Sequence, residues 1–167
     1  DEELKQLLQS CEAYTEEQLN QRPADGGWSA LQVMHHLILA EGGSLGYVRK
    51  KLGSKPELNR AGPGAFFRSA MLKVFLTLPK KYKAPKVVGD DMLPERSAFS
   101  DTQAEWLKVR QDLRDFLAAL PDDHFHMEIY KHPRAGRMSL LGMMRFFRTH
   151  QQRHAGQIER TLAEASK

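Results

Sequence analysis

"LLGMMRFFRTHQQRHAGQIERTLAEA", residues 140–165, decides the fold. A helical residue advances about 100° from its predecessor. On that wheel Leu140, Met143, Met144, Phe147, Ile158 and Leu162 form one apolar stripe. Arg145, Arg148, Arg153 and Arg160 fall outside the stripe or at its edge. The spacing predicts one long amphipathic helix from about Ser139 to Ala165, which must bury its stripe against other elements. His150 and His154, four residues apart, fall inside the stripe. They point where the core should be.

The rest of the chain supplies the partners. Thr15–Gln18, Ser29–Gln32 and Ser100–Gln103 each have the spacing of a capping box, in which the two side chains satisfy backbone N–H groups of a first helical turn. From Ser29 to about Leu52, Leu31, Met34, Ile38, Leu45, Val48 and Leu52 recur at helical spacings, with Gly42, Gly43 and Gly46 as local weak points. A Gly/Pro-containing loop (53–64) leads to a shorter helix over 65–78. Residues 79–98, with three prolines, read as an ordered loop over the bundle. A helix over 101–120 turns Trp106, Val109, Leu113, Phe116, Leu117 and Leu120 inward, and an opening helix covers 2–20. The only strand candidate is the short "HMEIY", 126–130. The expected fold is all-α: an up-down four-helix bundle with an additional short helix and long connecting loops, one domain over 1–167.

Composition narrows the function. No apolar run approaches the ~20 residues of a membrane span. The opening "DEELKQLLQS" is acidic and amphipathic, unlike a signal peptide. The single cysteine, Cys11, fits a reducing compartment and reads as a small buried hydrophobe rather than a nucleophile. Together these make the cytoplasm the expected compartment. The net charge of +4 lacks a concentrated basic stripe, so nucleic acid is a poor partner; "PKKYKAPK" (79–86) reads as a solvated loop.

Two imidazoles side by side in a core each need a polar partner, and one metal ion satisfies both. The zinc helix of metalloproteases has the same spacing but carries Glu directly after its first histidine. Here Gln151 follows His150, which excludes that reading. A third ligand from a facing helix would make a three-histidine site with positions open for water or substrate, as in catalytic metal centres. His35 and His36 are the candidates, and periodicity does not choose between them, since both flank apolar positions.

"DGGWSALQVMHHLILAE", "LPKKYKAPKVVGDDMLP", "HPRAG" and "FFRTHQQRHAGQIER", in that order over roughly 15–160, resemble the DinB-like (YfiT-like) superfamily of metal-binding four-helix bundles. The resemblance implies that the ligand on the second helix is the histidine directly before Leu, which is His36, and that the final-helix ligands are His150 and His154. His35 then reads as a residue supporting a ligand or packing beside the site, and Glu41 could serve the site as an acid or base but reads first as an exposed carboxylate or a partner for a basic residue. The resemblance also implies a divalent metal, with zinc or nickel first and iron or manganese as alternatives, and a small-molecule substrate. The expected activity is that of a thiol-dependent S-transferase using a low-molecular-weight thiol, or of a metal-dependent hydrolase, in a homodimer. Arg148, Arg153 or Lys83 could meet an anionic thiol at the mouth, though each singly reads first as solvated surface; Trp28, Tyr47 and Tyr130 could line the pocket, though aromatic residues at helical spacing read first as core. The alternative is a non-catalytic stress-response module that sequesters metal or ligand.

Overall fold

The computed structural model describes residues 1–78, 82 and 84–167. Half of the basic run 79–86, Lys83 included, lies outside the described residues. Among the described residues there are six α-helices: α1 Glu2–Cys11, α2 Glu16–Asn20, α3 Ala30–Gly53, α4 Pro63–Thr77, α5 Phe99–Ala118 and α6 Leu140–Ala165. The expected opening helix over 2–20 is divided in two. The division follows from a signal in the sequence itself: Gln18 N donates to Thr15 Oγ1 at 3.3 Å and Thr15 N to Gln18 Oε1 at 3.0 Å, a capping box that starts α2 afresh. Ser29 and Gln32 form the same pair ahead of α3 (3.2 and 3.1 Å), and α3 then runs unbroken through Gly42, Gly43 and Gly46.

The third capping box does not form. α5 begins at Phe99, so Ser100 is already helical. Its start is fixed from a distance instead. Phe99 N donates to Glu16 Oε1 at 3.2 Å, while Asn20 and Ser97 bond reciprocally at 3.0 Å. A carboxylate from α2 thereby satisfies a first-turn N–H that a local hydroxyl would otherwise take.

α1, α3, α5 and α6 form the four-helix bundle, with α4 laid against α6. The core has two apolar lobes. One joins Leu4, Leu8, Met34, Trp106 and Ile158; the other joins Val48, Leu113, Ile129, Met138 and Phe147. Met144, expected inward, is instead exposed, at the edge of the α6 stripe. After α5 the chain makes a small antiparallel hairpin, β1 Tyr130–His132 and β2 Gly136–Met138, so strand begins at the last residue of "HMEIY". Gly136, at φ +82°, supplies the left-handed turn conformation that glycine tolerates. No helix among the described residues is long and apolar enough to cross a membrane.

Candidate metal centre

A polar layer lies between the two apolar lobes, and the three predicted histidines meet in it. His36 sits on the buried face of α3, and His150 and His154 sit one turn apart on α6. His36 Nε2 stands 3.2 Å from His150 Nε2, and His154 Nε2 stands 3.1 Å from the same atom. All three are more than nine-tenths buried.

The outer ring nitrogens show why these atoms converge. His36 Nδ1 lies 2.7 Å from the Val88 carbonyl and His154 Nδ1 lies 2.9 Å from Gln157 Oε1. Each partner is an acceptor, so each Nδ1 carries the proton and each Nε2 presents its lone pair inward. Burial first, then the neighbouring imidazoles, holds His150 well below its ordinary value. Burial chiefly lowers His154 to about 3, and burial lowers His36 against the opposing pull of the Val88 bond. The rings are neutral at physiological pH.

This donor set fits a metal ion. Two nitrogens each about 2.0–2.1 Å from one tetrahedral zinc stand roughly 3.3–3.4 Å apart, close to the 3.1 and 3.2 Å separations here. With the His36 and His154 lone pairs both aimed at His150 Nε2, a single proton on His150 can serve only one of them. A cation among the three serves all.

The structure sets the remaining candidates apart from this cluster. Adjacent residues on a helix point about 100° apart. His35 therefore turns to α5, within 3.1 Å of Ser97 Oγ and 3.2 Å of Thr102 Oγ1. Glu41 is buried, where its carboxylate receives Arg110 through two bonds (2.5 and 2.6 Å) and Trp106 Nε1 at 3.3 Å. Neither is bonded to the three rings. Arg148 lies away from the cleft, paired with Glu3 at 2.9 Å. Arg153 lines the cleft and donates to the Leu76 and Leu78 carbonyls, both at 2.8 Å, at the end of α4.

The cluster opens into a cleft of about 1910 Å³ between α3, α4, α6 and the hairpin. Trp28, Tyr47 and Tyr130 line it, Tyr130 belonging to the core as well. Trp28 packs 5.0 Å from His36, and its indole N–H donates to Asp90 at 2.5 Å, pinning the segment that carries Val88 over the cluster. From His150 an aromatic wall runs outward: Phe146 stacks on it at 5.0 Å, Tyr130 on Phe146 at 6.4 Å, and Tyr47 stands edge-on to Tyr130 at 6.4 Å. Three contributors escape a reading of the sequence alone. Gln157 carried a weak signal, one turn beyond His154. The Val88 carbonyl, a backbone atom, carried none. His132 of "HPRAG" lies in the cleft wall against Phe146, ring centres 4.6 Å apart.

Comparison with known proteins agrees with this architecture. The family model of the DinB superfamily matches residues 1–158. Among solved structures, a protein from Bacillus subtilis, YfiT, superposes with a TM-score of 0.56 at 19% identity, covering 96% of this chain and 79% of its own. That protein is described as a probable metal-dependent hydrolase with an unusual four-helix bundle topology. No curated protein matches the sequence.

Proposed function

The chain belongs to the DinB superfamily, and on that premise we propose that it is a metal-dependent enzyme acting on a small molecule in the cleft above His36, His150 and His154. The reaction is thiol-dependent S-transfer with a low-molecular-weight thiol, or hydrolysis. The observation that carries this reading is the convergence of three buried Nε2 atoms, two of them fixed as lone-pair donors by Val88 and Gln157. A divalent ion there, zinc or nickel first and iron or manganese next, would supply Lewis acidity toward water or a thiol, its charge undiminished by neutral ligands.

The chain's own residues do the rest. Trp28 and the Val88 segment shield one side of the cluster from water. Phe146, Tyr130 and Tyr47 offer an apolar surface along which a substrate is oriented. Ser44 Oγ donates to the Ala40 carbonyl at 2.7 Å, so the Tyr130 hydroxyl, 3.1 Å away, donates to Ser44. Burial pushes that phenol up to about 12 and keeps its proton on.

Inductively coupled plasma mass spectrometry tests the reading. Native protein should carry close to one equivalent of metal and His150→Ala should carry little. Equal loading of the two, or no metal in either, refutes it. A non-catalytic sequestering module would bind the metal with no turnover across thiols and electrophiles. Turnover lost in His36→Ala decides for the enzyme.

We further place the protein in the cytoplasm as one domain over 1–167, working as a homodimer. The dimer reading rests on an exposed apolar stripe of Phe67, Met71, Val74 and Phe75 on α4 with Leu78 just past its end, three of which (Met71, Phe75 and Leu78) also border the cleft. It amounts to about 450 Å² if each side chain offers roughly 180 Å² and half is exposed. Phe67→Glu should convert the dimer to monomer in light scattering.

A further inference from the structure

We propose that His132 is a substrate-binding donor, its Nε2–H receiving the carboxylate of a small monocarboxylate whose apolar part lies along the aromatic wall. The proposal rests on the reading of the cleft as a small-molecule site and adds the chemical class of what it takes.

The tautomer of His132 is set by its own turn. Arg134 N and Ala135 N both point at Nδ1, at 3.2 and 3.1 Å. A nitrogen that accepts two N–H groups carries no proton, so the neutral ring is protonated at Nε2. No buried side-chain nitrogen or oxygen among the described residues lacks a hydrogen-bond partner. His132 Nε2 bonds to no protein group among them, so this atom is accessible, and His132 lines the cleft. The ring is otherwise buried, against Phe146 at 4.6 Å and Tyr130 at 6.4 Å. The result is a held N–H donor one aromatic ring away from His150.

The surroundings select an anion. The acids of the cleft gather at one end. Asp25, Asp90 and Glu164 lie at the Trp28 end together with Arg160, and there Asp90 takes the indole and Glu164 takes Ala24 N. At the hairpin end the described lining holds Lys131, Arg134 and Arg68 and no acid, although Arg68 is paired with Glu128 beside it at 3.0 Å. Burial, with Arg134 beside it, pushes His132 down to about 4, so the ring acts as a neutral donor rather than as a cation. A donor beside these cations suits a carboxylate oxygen, and Phe146, Tyr130 and Tyr47 offer the remainder of the molecule an apolar surface.

The test uses benzoate as probe on purified protein whose metal content is measured on the same sample. Benzoate is titrated by ligand-observed NMR, and imidazole ¹⁵N spectra follow His132. Asn at this position keeps an acceptor where Nδ1 stood and lacks a donor where Nε2 stood. Gln places an amide N–H near Nε2. We expect saturable binding, a shift of the His132 Nε2 resonance, at least about tenfold weaker binding in His132→Asn, and recovery to within about threefold in His132→Gln. Absence of saturable binding, an unmoved Nε2 resonance, or His132→Asn binding within twofold of the parent overturns the proposal. Metal content separates the two readings: metal-free protein that still binds benzoate through His132 counts against the metal centre alone. Fully loaded protein without benzoate binding counts against this proposal alone.

Discussion

Gln157→Ala isolates the role of the outer hydrogen bonds in the metal centre. Gln157 Oε1 accepts the His154 Nδ1 proton at 2.9 Å, one turn along the same helix. That single bond fixes which nitrogen of His154 faces His150 and how the ring is turned. A neutral hydrogen bond contributes about 1 kcal/mol net, and loss of the partner behind a ligating histidine typically weakens metal affinity by about 10–100-fold. Gln157 is half-buried at the cleft side, where water can replace part of what is lost. The lower end therefore applies: about tenfold, or ~1.4 kcal/mol. Gln157→Glu puts a carboxylate behind the same N–H, makes the imidazole a stronger donor, and should bind zinc at least as tightly as the parent. Gln152→Ala is the control, because Gln152 bonds to Glu3 at 3.1 Å rather than to a histidine. Competition titrations against a chromophoric zinc chelator at pH 7.5 measure all four proteins, with circular dichroism confirming the fold. An Ala variant within twofold of the parent, or a Glu variant weaker than Ala, refutes the assignment of Gln157 as the residue that fixes His154.

Arg110→Met should strand the buried Glu41 carboxylate and destabilise by about 3–5 kcal/mol, roughly 6–20 °C in melting temperature, whereas Glu41→Leu/Arg110→Met should recover most of the loss; a double variant no better than the single one contradicts this. Cys11 is fully buried, and burial pushes its thiol up to about 11, so it should resist a disulfide reagent in native protein and react promptly in denaturant. His132 has its folded pKa depressed to about 4 against about 6.5 unfolded. As pH falls below about 6.5 the unfolded chain takes the proton first, so this contribution to stability is complete above that value and declines down to about pH 4. Solvent access limits the loss to about 2 kcal/mol. Denaturation of His132→Asn across pH 7 to 4 should show a shallower decline than the parent, and parallel curves would refute it.

Much of this was legible in the sequence, and the limits have physical causes. α3 and α6 were readable because cap, length and apolar period agree, and helices so long bury a stripe wherever they pack. The Ser100–Gln103 pattern misled because the contact that starts α5 comes from Glu16, 83 residues earlier, which a local pattern cannot register. The two final histidines followed from the wheel. The third did not: both sides of α3 are apolar, since α5 and α6 both pack on it, so only a neighbour's identity separates His36 from His35. Glu41 had the partner for a basic residue that the sequence suggested. Its burial stayed hidden because the compensating Arg110 lies 69 residues away.

The polar layer also bears on how the bundle holds its own alignment. Apolar side chains of similar size let two helices slide by a turn, about 5.4 Å, at modest expense. Here such a slide of α6 along α3 would part His150 and His154 from His36. It would also part Gln151 from Arg110, whose guanidinium spans Gln151 Oε1 at 2.6 Å and the Glu41 carboxylate. Gln151 directly follows His150, so the bond that anchors α6 to Arg110 lies one residue from the ring at the centre of the cluster. Each polar group left unmatched in the apolar interior costs on the order of 1–3 kcal/mol, and an unpaired carboxylate costs more. The sites of three histidines and one ion pair thus oppose every register but one. The arrangement that brings the nitrogens together is also the arrangement in which the core's buried polar groups are matched.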